Sequence, residues 1–194
     1  MNHDHGADHG HHHAQPVVAD ASVRLARLSD APAVGFVQAV LWRDAYASVL
    51  PSEVLDGFQP QAFASVWRAS LDQPPSAAYR LLVACAGEQV VGFAAVGPSS
   101  DPDAQDVDGE LLVLGVHPDA RGTGHGSRLV NAAVDTARGA SFTVLRGWLL
   151  STDDRTRAFL AAAGLEADGA YRDRVIGPSE NDVAREVRVM GSIG

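Results

Sequence analysis

The chain has 194 residues, a formal charge of −9 and one cysteine, which suits a single domain with a full core and leaves little room for a second. The acidic balance disfavours nucleic-acid binding through phosphate neutralisation, and the lone Cys85, in the apolar run 82–86, excludes an internal disulfide and reads as a small core residue. No run of about 18 apolar residues is present to span a membrane, and no apolar leader marks the start of the chain, so a cytoplasmic location is expected.

Residues 1–21 read as a disordered tail, because Met1 to His13 holds six of the eight histidines among aspartates and glycines, with little that could pack. Its irregular spacing does not point to a structural metal site. The domain is expected over 22–194. Ser22 to Leu28 alternates as a strand, and Ser29 or Asp30, with Pro32 behind it, starts a helix striped by Val34, Val37, Leu41 and Tyr46. Pro51 opens a short helix. Pro60 opens another with the stripe Phe63, Val66, Trp67 and Leu71, and Pro74-Pro75 ends it.

Three strands are expected next, near 79–86, 90–96 and 109–116, with an acidic link carrying Asp101, Asp103, Asp106 and Asp108 before the third. That link reads as a solvated turn which, near a substrate entrance, would attract an amine. A helix is expected from Ser127 to Arg138, a strand from Phe142 to Leu150, and a helix capped by Thr152 or Asp153 and stopped by Gly164. Two last strands fall near 165–171 and 184–190. Trp67 and Trp148 read as core.

The chemistry concentrates at Val116-His117-Pro118-Asp119-Ala120-Arg121-Gly122-Thr123-Gly124-His125-Gly126. A strand runs into a glycine-rich turn that opens a helix. The first N–H groups of a helix lack internal partners and its dipole adds positive potential, so such a terminus binds phosphate oxygens. Arg121 adds a fixed positive charge beside the loop. Two rival phosphate motifs fail on detail. A dinucleotide fold spaces its glycines as GxGxxG and needs an acid after the next strand, and 142–150 carries none. A P-loop needs a lysine, and the chain has no lysine. His117 and His125 read as exposed loop residues.

Leu114-Gly115-Val116-His117-Pro118 followed by Arg121-Gly122-Thr123-Gly124-His125-Gly126 resembles motif A of the GNAT acyltransferases, with its R/Q-x-x-G-x-G/A core. Trp42-Arg43-Asp44-Ala45-Tyr46 with Leu50-Pro51, Gly109-Glu110-Leu111-Leu112 and Ala158-Phe159-Leu160-Ala161-Ala162-Ala163-Gly164-Leu165 resemble further segments of that family. The resemblance implies an α+β fold: a mixed, mostly antiparallel sheet of about seven strands flanked by helices. It implies acetyl-CoA as cosubstrate, an amine of a small molecule or peptide as acceptor, and direct attack on the thioester without a metal. The backbone of Leu114, Gly115 and Val116 would pair with the pantetheine arm. The loop Gly122, Thr123, Gly124, His125, Gly126 and Ser127 would hold the pyrophosphate, with Arg121 beside it and Asp153 near the cofactor.

By the same resemblance Glu110 is the general base, and strand alternation puts it on a face with Leu112 and Leu114. The tyrosine that many relatives use to protonate the leaving thiolate is matched here by Leu160, which leaves Tyr171 or Tyr46 for that role, or water. Trp42, Asp44 and Tyr46 are candidate walls of the acceptor pocket. That departure at Leu160 also keeps a second reading open, a non-catalytic acyl-CoA-binding module. A homodimer through the late strands is compatible with the family.

Overall fold

The computed structural model describes residues 21–194; the histidine-rich segment lies outside the described residues. Strand β1 (Ala21–Leu25) is followed by α1 (Ala31–Tyr46), α2 (Ser52–Asp56) and α3 (Pro60–Asp72). Then come β2 (Arg80–Ala86), β3 (Gln89–Pro98), β4 (Asp108–Val116), α4 (His125–Gly139), β5 (Val144–Leu150), α5 (Asp154–Ala162), β6 (Glu166–Val175) and β7 (Val183–Ser192). None of the described helices is long and apolar enough to cross a membrane.

The seven strands form one sheet in the order β1-β2-β3-β4-β5-β7-β6. Every pairing is antiparallel except β4 with β5. On one face, α1 and α3 cover Leu81, Val83, Cys85, Phe93 and Ala95. On the other, the α4 stripe of Leu129, Val130 and Ala133 packs with Leu111, Leu145, Leu149 and Val189. Cys85 is buried, as its apolar setting implied.

Three local expectations are corrected. β1 stops at Leu25 because the Asp30 carboxylate accepts from Arg24 at 2.6 and 2.9 Å and from the Arg27 N–H at 2.7 Å, drawing 28–30 into a single 3-10 turn. With its oxygens so engaged, Asp30 sits at the N-cap of α1 without making a capping hydrogen bond. On α3, Val66 is exposed rather than part of the packed stripe.

The third correction positions the site. Partners Ala95↔Val113 and Val96↔Leu111 leave Leu112 unmatched, a β-bulge in β4. The extra residue resets alternation. Leu111, Leu114 and Val116 all turn to the α4 side, and Val113 joins the α1 side. Glu110, preceding Leu111, faces the α1 side, so it does not share a face with Leu114 as simple alternation required. β4 pairs with β5 only from Asp108↔Val144 to Leu111↔Gly147. Beyond that point the two parallel strands part, and the sheet opens into a cleft.

Candidate active site

The cleft holds about 870 Å³ and is approached by α4 and α5 from one face and by α1 from the other. Its β4 wall is unpaired backbone. The His117 N–H donates to the Val91 carbonyl at 2.8 Å. In an antiparallel ladder the neighbouring residue's amide points the opposite way, so the amides of Val116 and Leu114 turn into the cleft. Gly115 leaves room there for Leu41, whose Cδ1 a Cβ would overlap.

The glycine loop lies between β4 and the start of α4. Gly122 and Gly124 have φ of +78° and +86°, in the left-handed region that L side chains rarely adopt. Gly124 is the N-cap of α4, so the unpaired N–H groups of the first turn face the cleft mouth. Arg121 Nε donates to the Val116 carbonyl at 3.2 Å, and its Nη1 lies 4.0 Å from Asp44. Leu114, Gly115, Val116, Arg121, Gly122, Gly124, Gly126, Ser127 and Asp153 all line the cleft. Asp153 caps α5 through Oδ1, which accepts from the Thr156 N–H at 2.9 Å.

Thr123 and His125 do not line it. Thr123 Oγ1 donates to the Ala120 carbonyl at 2.8 Å. His125 is 3% exposed, contrary to the expected loop exposure, and its Nδ1 is buried without a protein partner. Burial, then the Arg128 charge, lowers its pKa and keeps the ring neutral. His117 is half-buried and stacks on Phe36 at 6.0 Å between centroids.

On the α1 face the cleft is walled by Trp42, Tyr46, Trp148 and Leu150, with Arg174 and Glu186 at its edge. Trp42 meets Tyr46, Phe58 and Phe63 at 5.1–5.6 Å between ring centroids in edge-to-face geometry, which fixes the end of α1. Tyr46 is 6% exposed, and burial first, then the Glu186 charge, raises its pKa. Trp148 is not a core residue: it lines the cleft, donates Nε1 to Asp101 at 2.9 Å, and carries the Arg172 guanidinium 4.2 Å from its ring centre.

The acidic link is solvated only in part, at exposed Asp103 and Asp106. Asp101 and Asp108 are buried. Buried Arg146 donates to Asp103 at 2.7 Å and Asp108 at 2.6 Å, and Arg188 donates to Asp101 at 3.2 Å and Asp103 at 2.7 Å. Arg188, assisted by Arg146, holds the Asp103 carboxyl down to about 2. Asp101, Asp103 and Asp108 are neutralised where they stand, which leaves Asp106 alone of the four for the amine-attracting field expected of the bare sequence.

Glu110 lies one position beyond the apex, beside Leu111, and does not itself line the cleft. It is buried, and its Oε2 has no protein hydrogen-bond partner. Burial raises its pKa, the Ser100 backbone opposes the shift, and the Asp101 charge adds to it. The structure does not bring Tyr171 to the site: it is 66% exposed on β6 under Arg185, on the sheet face away from Glu186. Leu160, at the resemblance's tyrosine position, is buried in the core.

Residues 37–165 match the Acetyltransferase (GNAT) family. The chain belongs to the GNAT acetyltransferase family. No curated protein matches it in sequence. Its fold is that of solved GNAT proteins at low identity. yncA of Salmonella typhimurium, solved with its cofactor acetyl-CoA, is 19% identical with a TM-score of 0.64 over 90% of this chain and 94% of that one. The paiA N-acetyltransferase of Thermoplasma acidophilum in complex with coenzyme A is 15% identical, TM-score 0.62, over 86% and 97%. A ribosomal-protein-alanine N-acetyltransferase from Brucella melitensis is 21% identical, TM-score 0.65, over 88% and 99%.

In this GNAT domain the cleft residues that the sequence did not point to include Trp148, Arg174 and Glu186. Trp148 had one available signal. It alternates with Leu149 on β5, so a strand with Leu145 and Leu149 in the core turns Trp148 to the other face. Arg174 and Glu186 had none, because both lie in strands past residue 165, where the family motif ends.

Proposed function

We propose that this protein transfers the acetyl group of acetyl-CoA to a primary amine. The observation that carries the reading is the parted β4–β5 pair. It offers unpaired β4 amides and a helix N-terminus to a thioester arm and pyrophosphate from the α4 face. An aromatic pocket opens on the other face for an acceptor. Donor and acceptor meet without a covalent enzyme intermediate.

In the proposed reaction the acceptor ammonium first loses its proton, relayed by water, to Glu110, whose buried Oε2 has no protein hydrogen-bond partner behind the cleft and whose raised pKa suits a base. The nitrogen lone pair attacks the thioester carbonyl carbon, and the Val116 N–H stabilises the developing oxyanion. The C–S bond breaks as the C–N bond is completed. The departing thiolate takes a proton from Tyr46, the tyrosine that lines the cleft, which burial keeps protonated, and the nitrogen's second proton passes through water to the tyrosinate, which restores Tyr46 and leaves the neutral amide.

The buried Leu160 in place of a tyrosine supports the second reading, a non-catalytic acyl-CoA-binding module. Thiol release from acetyl-CoA over a panel of amines separates the two. Turnover on any amine supports the enzyme. A thermal shift with acetyl-CoA and no thiol release on any amine supports the binding module.

A further inference from the structure

The acceptor side of the cleft carries a charge that acetyl transfer does not use. Arg172 and Arg174 stand on one face of β6, opposite Glu186 and Ala184 of β7. Both reach for the Glu186 carboxylate, and they are not equivalent. Arg172 Nε donates to Glu186 Oε2 at 2.7 Å, and the same guanidinium covers the Trp148 ring and lies 3.9 Å from Asp101. Arg174 makes a single bond among the described residues, 3.4 Å to Glu186 Oε1, at the outer limit of a hydrogen bond. Its side chain is 46% exposed, and it lines the cleft where Arg172 does not.

One carboxylate therefore faces two guanidinium groups. Arg172 satisfies it, and most donors of Arg174, at the cleft edge, have no protein partner among the described residues. The other cations of the cleft, Arg121 and Arg155, belong to the donor side, beside the glycine loop and in the first turn of α5. The acidic link offers Arg174 no further counter-charge, since its buried carboxylates are held by Arg146 and Arg188.

We propose that the acceptor is a small amine that also carries a carboxylate, an amino acid in the broad sense, and that Arg174 binds this carboxylate. The planar guanidinium fork matches a carboxylate in two-point geometry. The walls of Trp42, Tyr46 and Trp148 take the apolar body between the two charged ends. A peptide N-terminus, whose first carboxyl is an amide, would leave the cation of Arg174 facing a neutral group. The inference rests on the acetyltransferase reading of the same cleft.

The test uses the full chain, acetyl-CoA, and phenylalanine, leucine and methionine, each beside its carboxamide and its decarboxylated amine. A charge-assisted pair sets the expected preference for the free acid at about tenfold or more in kcat/KM. The carboxamide has the less basic, more readily neutral amine, so intrinsic reactivity runs against this result. Arg174→Gln, on an exposed edge-strand side chain, should keep its melting temperature and its acetyl-CoA thermal shift while losing the preference, and Arg174→Lys should restore part of it. Equal or better turnover of the amides, amines or peptides overturns the proposal. So does a free-acid preference that survives Arg174→Gln, or acetyl-CoA binding with no free acid acetylated. If acetyl-CoA gives no thermal shift, the acetyltransferase reading of the cleft fails, and this proposal with it.

Discussion

The two halves of the cleft are made of different material. The donor half is backbone: β4 amides, two glycines at positive φ, and the N-terminus of α4. The acceptor half is side chain. Aromatic rings stand on a layer of arginines and carboxylates that join residues 38 to 87 apart in the chain. A backbone site depends on what is absent, a Cβ here or a β5 partner there. A side-chain site depends on each charge finding its counter-charge, and it fails when one is removed.

Breaking the acceptor half should have the largest effect on stability. Arg146 is buried and bonds Asp103 and Asp108, with Asp101 at 3.7 Å. Arg146→Met leaves buried carboxylates without their main partner. Removing one member of a buried pair costs about 3–5 kcal/mol, which in a domain of this size lowers the melting temperature by roughly 6–20 °C. The sharper outcome is the contrast: the folded variant should still bind acetyl-CoA with near-native affinity by calorimetry. A variant that loses acetyl-CoA binding in step with stability would show that the halves are not separable.

Breaking the donor half should do the reverse. Gly124→Val puts a β-branched residue at φ +86° and brings a Cβ to 2.7 Å from Arg128. Acetyl-CoA raises the melting temperature of a protein that binds it only when folded. That shift should vanish in the variant, with affinity down about a hundredfold, or about 2.7 kcal/mol. A variant that folds and binds acetyl-CoA normally removes the pyrophosphate assignment.

The same contrast explains what was legible in the sequence. The spacing of Arg121, Gly122, Gly124 and Gly126 encodes the donor half locally, because a turn at positive φ needs glycine within a few residues of the strand it follows. Element order was legible for the same reason, through alternation and proline and glycine punctuation. The bulge at Leu112 was not, since nothing local in Glu110-Leu111-Leu112-Val113 marks the extra residue. The acidic link looked solvated because Arg146 and Arg188, which bury it, lie 38 to 87 residues further along the chain. Tyr171 and Tyr46 were both candidates as residue types, and only the fold separates them, with Tyr171 exposed on β6 and Tyr46 at the end of α1 against the cleft.

The proposed base joins the halves. Glu110→Gln keeps the shape of the side chain and cannot take a proton. Loss of a positioned base costs about 10²–10⁴ in rate, less where water shares the work, so turnover should fall at least about tenfold with acetyl-CoA affinity unchanged. The sign of the pH effect follows from the raised pKa. A base whose pKa is raised by burial becomes active only as pH climbs past that value, so the acidic limb of wild-type kcat should lie above the ordinary carboxylate range. The Glu110→Gln variant should lack that limb. Wild-type turnover with an unchanged acidic limb would make Glu110 a structural residue of β4.

The smallest expected effect belongs to Tyr46, and it tests whether the acceptor wall also does chemistry. Its ring packs against Trp42 and Phe58, so Tyr46→Phe keeps those contacts and removes only the hydroxyl. Burial and Glu186 both favour the protonated phenol, which stays available as a donor throughout the working range. A proton donor acts when the thiolate departs, in the transition state and not in the ground state. Its loss should therefore lower kcat and kcat/KM together. A drop of about three- to tenfold, roughly 0.7–1.4 kcal/mol, is expected because water can reach the thiolate from the open cleft mouth. The Michaelis constants for acetyl-CoA and for the acceptor should stay where they are. If the acceptor's constant rises while kcat holds, Tyr46 is a wall that binds substrate and transition state alike, and the thiolate takes its proton from solvent.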